Sequence, residues 1–210
     1  MMYLSRLILN PRSRQVQSEL ARPYELHRTL MKGFPDGVRR EQANLLYRLE
    51  NHPLTRSLTL LAQSTVKPDW TPLLSAGQGT YLLASPETKQ LSLHLSEGRV
   101  LRFRLRANPT KRLSTGKGNK AGKRVHLFKE KEQLNWLKRR AQAAGFRVMD
   151  VRITPEGNLN DYRRRLTIYQ VRFDGILQIT DPQALAQALR RGIGPAKAFG
   201  CGLLSLAPAG

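Results

Sequence analysis

The order of strand and helix patterns in the second half of the chain restricts its fold more than any other feature. Residues 100–106 alternate strictly between apolar and basic side chains, which predicts a strand with one buried face and one cationic face. The later patterns predict, in order, a helix over 129–144, strands over 146–153, 166–173 and 176–179, a helix over 182–191, and a strand over 203–206. We expect turns at 155–160 and at Asp174-Gly175. Apart from the short strand over 176–179, this is the β-α-β-β-α-β order of the ferredoxin-like plan, an α+β fold.

The first half of the chain indicates a second, degraded copy of that plan. A strand is predicted over 2–9 and a helix from Pro23 to about Lys32, and two short strands over 45–49 and 58–63. The internal repeat is too weak in sequence to prove the copy. Residues 67–98 are rich in loop-forming residues, so we place the domain boundary late in that stretch. The predicted domains are 1–92 and 98–210.

The charge of the chain points to a polyanionic partner. Thirty-six Lys and Arg face 15 Asp and Glu, for a formal net charge of +21. Such an excess is self-repelling, and RNA or DNA would neutralise it. No apolar run approaches membrane-spanning length, and the four histidines lack metal-ligand spacing, so we expect no membrane, metal or cofactor. The single cysteine, Cys201, fits a reducing, cytoplasmic location.

A glycine-rich segment over 192–202 is the strongest local signal for anion binding. Glycine permits positive φ, and successive exposed N–H groups form a concave anion site. The spacing matches neither a Walker loop nor a dinucleotide fingerprint. The alternative is that these glycines only permit tight turns. The candidate RNA contacts in this segment are Gly192, Gly194, Lys197, Gly200 and Gly202.

Further basic residues form candidate phosphate contacts. Ten Lys or Arg and no acid lie between Arg99 and Arg124, which favours a binding surface over a solvated face. An arginine run follows Tyr162 at the edge of a predicted hairpin, where it could track the phosphates of an RNA stem. The candidates are Arg102, Arg104, Arg106, Lys111, Arg112, Lys117, Lys120, Arg139, Arg140, Arg163, Arg164 and Arg165.

One face of the predicted Pro23 helix carries a candidate catalytic group. Tyr24, His27 and Arg28 fall at i, i+3 and i+4, with Lys32 at the helix end. Histidine can move protons near neutral pH, and the two cations could stabilise the charge that develops on a phosphate during RNA cleavage. The phenol could orient the imidazole or a phosphate. The alternative is a surface histidine that stacks on a tyrosine one turn away.

Several stretches together resemble the CRISPR-associated endoribonuclease CasE family of type I-E systems, within the RAMP superfamily. These stretches are 3–11 (YLSRLILNP), 23–32 (PYELHRTLMK), 68–70 (PDW), 101–112 (LRFRLRANPTKR) and 190–208 (RRGIGPAKAFGCGLLSLAP). The resemblance implies two tandem ferredoxin-like (RRM-like) domains with a basic cleft between them. It places the family's catalytic histidine on His27, its neighbouring tyrosine on Tyr24, and its glycine-rich loop on 192–202.

The resemblance also implies an activity and partners. The family cuts the precursor CRISPR RNA at the 3′ base of each repeat hairpin, without metal, leaving a 5′-hydroxyl and a 2′,3′-cyclic or 3′ phosphate. The enzyme then stays on the cut hairpin as a subunit of Cascade. Two other hypotheses explain the charge: a non-catalytic RNA-binding assembly protein of the same superfamily, and a ribosomal-type protein. Neither of them requires the Tyr24–His27 pair.

Overall fold

The computed structural model describes residues 1–51, 57–75, 81–113 and 122–209. The strands in these ranges are β1 (Tyr3–Leu9), β2 (Leu46–Asn51), β3 (Leu58–Ser64), β4 (Glu87–Gln90), β5 (Val100–Ala107), β6 (Thr110–Arg112), β7 (Arg124–His126), β8 (Phe146–Asp161), β9 (Leu166–Ile179) and β10 (Leu204–Pro208). The helices are α1 (Arg14–Ala21), α2 (Pro23–Met31), α3 (Arg40–Ala43), α4 (Thr71–Ser75), α5 (Glu130–Ala143) and α6 (Pro182–Arg191), with a short 3-10 turn over Lys197–Phe199.

Two four-stranded antiparallel sheets have the same topology. Their strand orders are β2-β3-β1-β4 and β10-β5-β9-β8. If the four strands of each sheet are numbered along the chain, both sheets have the order 4-1-3-2, which fits the ferredoxin-like plan. The predicted tandem fold is therefore confirmed. The first copy is indeed degraded, because the five-residue α4 is the only helix between β3 and β4 in the described residues.

Each sheet has its own core. In the second sheet Leu101, Phe103 and Leu105 of β5 are buried with Leu137 of α5, as the alternation predicts. In the first sheet Leu7 and Leu9 of β1 pack with residues of α2. The first sheet ends at Gln90 and the second begins at Val100. The proposed domain bounds of 1–92 and 98–210 stay a prediction.

The predicted turns inside the second sheet are wrong. β8 and β9 form one continuous hairpin, with Asp161 paired to Leu166, so the turn lies at 162–165 and not at 155–160. A register shift between Pro155 and Gly157 accommodates the proline and glycine that indicated the first turn, and a second shift lies between Val148 and Asp150. Gly175 lies within β9, where a Cβ atom would come 2.1 Å from the carbonyl oxygen of Asp150. A glycine is therefore required here because the backbones of β8 and β9 approach closely, and not because the chain turns.

A small additional hairpin interrupts the predicted loop over 108–123. Thr110–Arg112 pairs with Arg124–His126. The candidate RNA contacts Lys117 and Lys120 lie outside the described residues. The side chains of this hairpin are exposed or half-buried, so these two strands lack the apolar alternation by which a buried strand is predicted.

Within the described ranges, no helix is long and apolar enough to cross a membrane. No group of three or more His, Cys, Asp and Glu in those ranges could hold a metal ion. Cys201 is buried, and burial raises the pKa of its thiol to about 12. The thiol is therefore protonated at neutral pH and unsuited to act as a nucleophile.

Candidate active site

Helix α2 forms where the sequence predicts it. Pro23 occupies the first turn with Glu25, and Arg28 lies in the last turn, so the charges complement the helix dipole. Leu26 and Leu30 are buried and hold the helix on the first core, as expected. The opposite side of α2 faces the C-terminal half of the chain, where it contacts β8 and the 3-10 turn.

His27 is buried between two tyrosine rings. The residue is only 4% exposed. Its ring centroid lies 5.9 Å from that of Tyr24 and 6.3 Å from that of Tyr47, and the Tyr47 ring is nearly parallel to the imidazole, at 16°. The alternative of a surface histidine is therefore wrong. Exclusion of bulk water from such a site strengthens the electrostatic interactions of any polar group inside it.

The glycine-rich segment packs directly against this pair of rings. The ring of Phe199 lies 5.9 Å from that of Tyr24. The Tyr47 hydroxyl donates a 2.8 Å hydrogen bond to the carbonyl of Ala198, and the Gln170 amide donates to the carbonyl of Phe199 at 3.2 Å. Both halves of the chain thus build the surroundings of His27. Tyr47, Phe199 and Gln170 were missed by the sequence analysis, since no local pattern distinguishes them from core residues.

Some backbone N–H groups of this segment are already in use. The amide of Gly192 donates to Ala188, and that of Gly202 donates to Arg106, each at 2.8 Å. The prediction that these two glycines present their amides to RNA is therefore wrong, because internal carbonyls take both donors. Gly194 and Lys197 are half-buried, and Gly200 is buried. Contacts between this segment and RNA stay a prediction.

The tip of the β8–β9 hairpin reaches over helix α2. The guanidinium carbon of Arg164 lies 3.6 Å from the centre of the Tyr24 ring, which is a close cation–π contact. Its neighbours Arg163 and Arg165 are exposed. The structure thereby places one of the predicted basic clusters at the candidate active site. No local pattern indicates this contact, because the sequence predicts a much shorter hairpin.

The two cations predicted on α2 itself remain near its surface. Arg28 forms a 2.9 Å ion pair with Glu25, and most of its side chain is exposed. Lys32 is exposed. An exposed ion pair contributes little, about 0–1 kcal/mol, so a phosphate could displace Glu25 from Arg28 at small cost. A role of Arg28 and Lys32 in stabilising charge stays a prediction.

Two arginines predicted to contact phosphates instead join the two sheets. Arg104 pairs with Asp174 at 2.5 Å and with Glu50 at 3.4 Å, and Arg106 pairs with Glu156. Arg106 also donates to the carbonyl of Leu49 at 2.6 Å. The interpretation of this strand face as uncompensated charge is wrong for these residues, because acids distant in sequence neutralise them. Arg102, on the same face, is exposed.

Arg48 is the buried centre of this interface. Its side chain contacts Glu50 at 2.8 Å, the carbonyl of Leu203 at 3.3 Å and the hydroxyl of Ser205 at 3.0 Å. Burial lowers the pKa of Arg48, although Glu50 opposes that change. Desolvation would raise the pKa of Glu50, but Arg48 and Arg104 together hold it below its usual value. The sequence did not single out Arg48, whose burial depends on the contact between domains.

A buried carboxylate stabilises α2 from the other side. Glu19 accepts hydrogen bonds from the hydroxyls of Thr29 and Tyr81, each at 2.6 Å. Burial, followed by the bond to Glu19, raises the pKa of Tyr81. Glu19 also lines a cavity of about 430 Å³ at the domain junction, together with Tyr47, Phe199 and other residues of both halves. This network fixes the position of the helix that carries Tyr24 and His27.

The remaining predicted contacts lie on the second domain away from α2. Lys111 pairs with Glu132 at 2.9 Å, and Arg112 is exposed. On α5, Arg139 is exposed, and the guanidinium of Arg140 lies 5.6 Å from the ring centre of Trp136. The structure does not bring these residues into the site around His27. Their contact with RNA stays a prediction.

Comparison with known proteins finds similarity over nearly the whole chain. A family described as "CRISPR associated protein" matches residues 2–208. The CRISPR-associated endoribonuclease Cse3 of Thermus thermophilus is 39% identical, over 99% of this chain and 100% of the relative. The Cascade subunit CasE of Escherichia coli K12 is 37% identical, over 99% of this chain and 100% of the relative.

Solved structures give the same result. Thermus thermophilus Cse3 bound to an RNA that represents a pre-cleavage complex is similar with a TM-score of 0.84 and 39% identity, covering 99% of both chains. The Cas6e protein of Escherichia coli K-12 is similar with a TM-score of 0.71 and 32% identity, covering 99% of this chain and 100% of that one. Together with the two-sheet topology, these matches show that the chain belongs to the CasE (Cse3, Cas6e) family of CRISPR-associated proteins.

Proposed function

We propose that this chain is an endoribonuclease that binds the stem-loop of the CRISPR repeat and cleaves the precursor RNA at the 3′ base of that hairpin. The observation that carries the proposal is the assembly around His27. Tyr24 and Tyr47 flank the imidazole, Phe199 packs on the Tyr24 ring, and Arg164 brings a positive charge to that ring. A net charge of +21 supplies the general attraction to RNA.

The proposed chemistry is an internal transesterification. The 2′-oxygen beside the scissile phosphate attacks phosphorus, and the bond to the 5′-oxygen breaks. The 2′-hydroxyl loses a proton and the 5′-oxygen gains one, so the products are a 2′,3′-cyclic phosphate, which can open to a 3′ phosphate, and a 5′-hydroxyl. Because the nucleophile belongs to the substrate, no metal-activated water is required.

The residues have distinct proposed roles in this step. His27 transfers a proton, either from the 2′-hydroxyl or to the 5′-oxygen. Tyr24 orients the imidazole or a phosphate oxygen, and the cations Arg28, Lys32 and Arg164 stabilise the charge that develops on the phosphorane. We propose that the protein keeps the hairpin after cleavage and acts in the cytoplasm. Its membership of the Cascade complex is supported by the relative that is named a Cascade subunit.

The runner-up is a non-catalytic RNA-binding assembly protein with the same fold. One experiment separates the two hypotheses. The purified protein is incubated with its own repeat RNA in excess EDTA, and the product ends are mapped. We expect one cut at the 3′ base of the hairpin and none when the adjacent 2′-hydroxyl is replaced by hydrogen. A cut that requires Mg²⁺, or that persists on the 2′-deoxy substrate, would contradict the mechanism, and tight binding without any cut would favour the runner-up.

A further inference from the structure

Tyr162 is an exposed aromatic residue without a ring partner among the described residues. It is 83% exposed, and the only other aromatic residue there that is largely exposed, Phe128, packs on Tyr169 with ring centroids 4.8 Å apart. Tyr162 takes part in none of the ring–ring or cation–π contacts of the described chain. Exposed aromatic rings of this kind are enriched where a protein binds a partner.

The turn at the tip of the β8–β9 hairpin holds the backbone of Tyr162 in place. The amide of Arg164 donates to the backbone carbonyl of Asp161 at 3.2 Å and to its buried carboxylate at 3.1 Å. The amide of Arg165 donates to the carbonyl of Tyr162 at 3.3 Å, and Arg165 has a left-handed φ of 49°. A turn that is ordered before binding loses little conformational entropy when its exposed ring meets a partner.

The same turn places Tyr162 at the edge of the candidate active site. Arg164, which lies 3.6 Å from the Tyr24 ring centre, is two residues further along. Two trans peptide units span at most about 7.6 Å between Cα atoms. The exposed cations Arg163 and Arg165 follow Tyr162 in the turn, so an aromatic face and positive charge occur together. This combination is the one that binds nucleic-acid bases and their backbone.

We infer that Tyr162 stacks on the terminal base pair at the foot of the RNA stem and thereby sets the position of the cut. The inference rests on the proposed function. Inside a stem every base pair is covered by its neighbours, so only the end of the stem offers a free aromatic face. Phosphate contacts position a protein on a duplex but do not by themselves identify any base or base pair. A ring that caps the stem end therefore fixes which phosphodiester reaches His27, and Tyr162 acts as a specificity-determining residue.

The test compares two hairpins made from the protein's own repeat, each with a 2′-deoxy nucleotide at the cut site to block cleavage. In the open hairpin the paired stem ends at its natural foot and the 3′ strand continues unpaired past the cut site. In the extended hairpin both strands continue as a duplex beyond that foot. Tyr162→Ala removes the ring, Tyr162→Phe retains it, and Leu83→Ala is the matched control at an exposed apolar residue (56% exposed) of the first domain. Equal thermal midpoints establish that the variants are folded.

We expect Tyr162→Ala to weaken binding of the open hairpin by about 10- to 100-fold, the usual effect of losing one base–aromatic stack. Tyr162→Phe and Leu83→Ala should bind the open hairpin with an affinity within about twofold of that of the unchanged protein. On the extended hairpin the unchanged protein and Tyr162→Ala should bind equally. On cleavable open hairpin, Tyr162→Ala should cut at more than one position.

Three results would overturn the inference. Undiminished binding and a single cut by Tyr162→Ala would assign the ring to a protein partner. An equal loss on both hairpins would place the ring along the duplex and not at its end. A loss in Tyr162→Phe as large as that in Tyr162→Ala would show that the hydroxyl and not the ring matters. Failure of the proposed function is a separate result, because the unchanged protein would then neither bind nor cut the repeat hairpin.

Discussion

At the scale of single residues, His27 combines a proton-transferring group with a buried, aromatic environment. If it moves a proton in the chemical step, His27→Ala should slow single-turnover cleavage by about 10²- to 10⁴-fold, the usual contribution of a general acid or base. Affinity for the hairpin should change little, because charged phosphate contacts dominate binding. The measurement is the cleavage rate at saturating protein, with affinity determined on a 2′-deoxy substrate.

Tyr24→Phe is the matched control for His27→Ala. It keeps the ring that contacts His27, Phe199 and Arg164 and removes only the hydroxyl. The rate should fall less than in His27→Ala if the phenol only orients its neighbours. If His27→Ala cleaves at a rate close to that of the unchanged protein, the imidazole takes no part in the mechanism.

At the scale of elements, the glycine-rich segment is a packed support for the site as well as a candidate RNA contact. Gly200 has a φ of +76°, and a Cβ atom there would lie 3.3 Å from the Tyr47 ring. Gly200→Ala should therefore cost about 1–2 kcal/mol in backbone strain and also displace Tyr47, which lies against His27. We expect a lower thermal midpoint together with slower cleavage.

Gly98→Ala separates these two effects. Gly98 has a similar φ of +78° but nothing within 4 Å of a Cβ atom. Gly98→Ala should lower the thermal midpoint through backbone strain alone and leave the cleavage rate of the folded protein unchanged. Equal cleavage rates in the two variants would show that the segment is only a structural turn and that its contact with Tyr47 has no effect on the site.

At the scale of the whole molecule, the structure divides the arginines of β5 into two classes. Arg102 is exposed, whereas Arg106 is held by Glu156 at the interface between the sheets. If Arg102 contacts a phosphate, Arg102→Ala should reduce the slope of log affinity against log salt by about one, or slightly less. Arg106→Ala should leave that slope unchanged in protein that remains folded.

The salt prediction is tested by measuring hairpin affinity across a range of salt concentrations for each variant. An affinity of the unchanged protein that does not depend on salt would assign the net charge of +21 to some partner other than RNA. A slope reduced by Arg106→Ala as much as by Arg102→Ala would mean that RNA binding opens the Arg106–Glu156 pair.

The interface between the sheets also predicts a dependence of stability on pH. The folded-state pKa of Glu50 is lowered, so its contribution to stability is present above the unfolded value of about 4.3 and is lost as pH falls through the folded value. Glu50→Gln should therefore lose less stability than the unchanged protein when pH falls from about 5 to 3. The measurement is denaturant unfolding at each pH, with Glu97→Gln at an exposed site as control. Identical pH profiles for the Glu50→Gln and unchanged proteins would contradict it.

Local sequence was enough to predict much of the fold and the core of the candidate site. The alternation of apolar residues predicted β5, and Pro23 with the spacing of the leucines predicted α2. Both predictions succeed because the periodicity of a strand or a helix depends only on residues close together in the sequence. The same spacing placed Tyr24 and His27 together, and the charge excess indicated a polyanionic partner. These inferences depend on contacts within one or two turns or on composition alone.

Only the tertiary structure decided which charges are free and what surrounds His27. Arg104 and Glu50 are 54 residues apart, and Tyr47 and Ala198 are 151 apart, so no local pattern relates them. The bulged β8–β9 hairpin likewise carries Arg164 to Tyr24, although its proline and glycine indicated turns. Ion pairs and ring contacts act through space over a few ångströms, whereas sequence patterns report only the order of residues along the backbone.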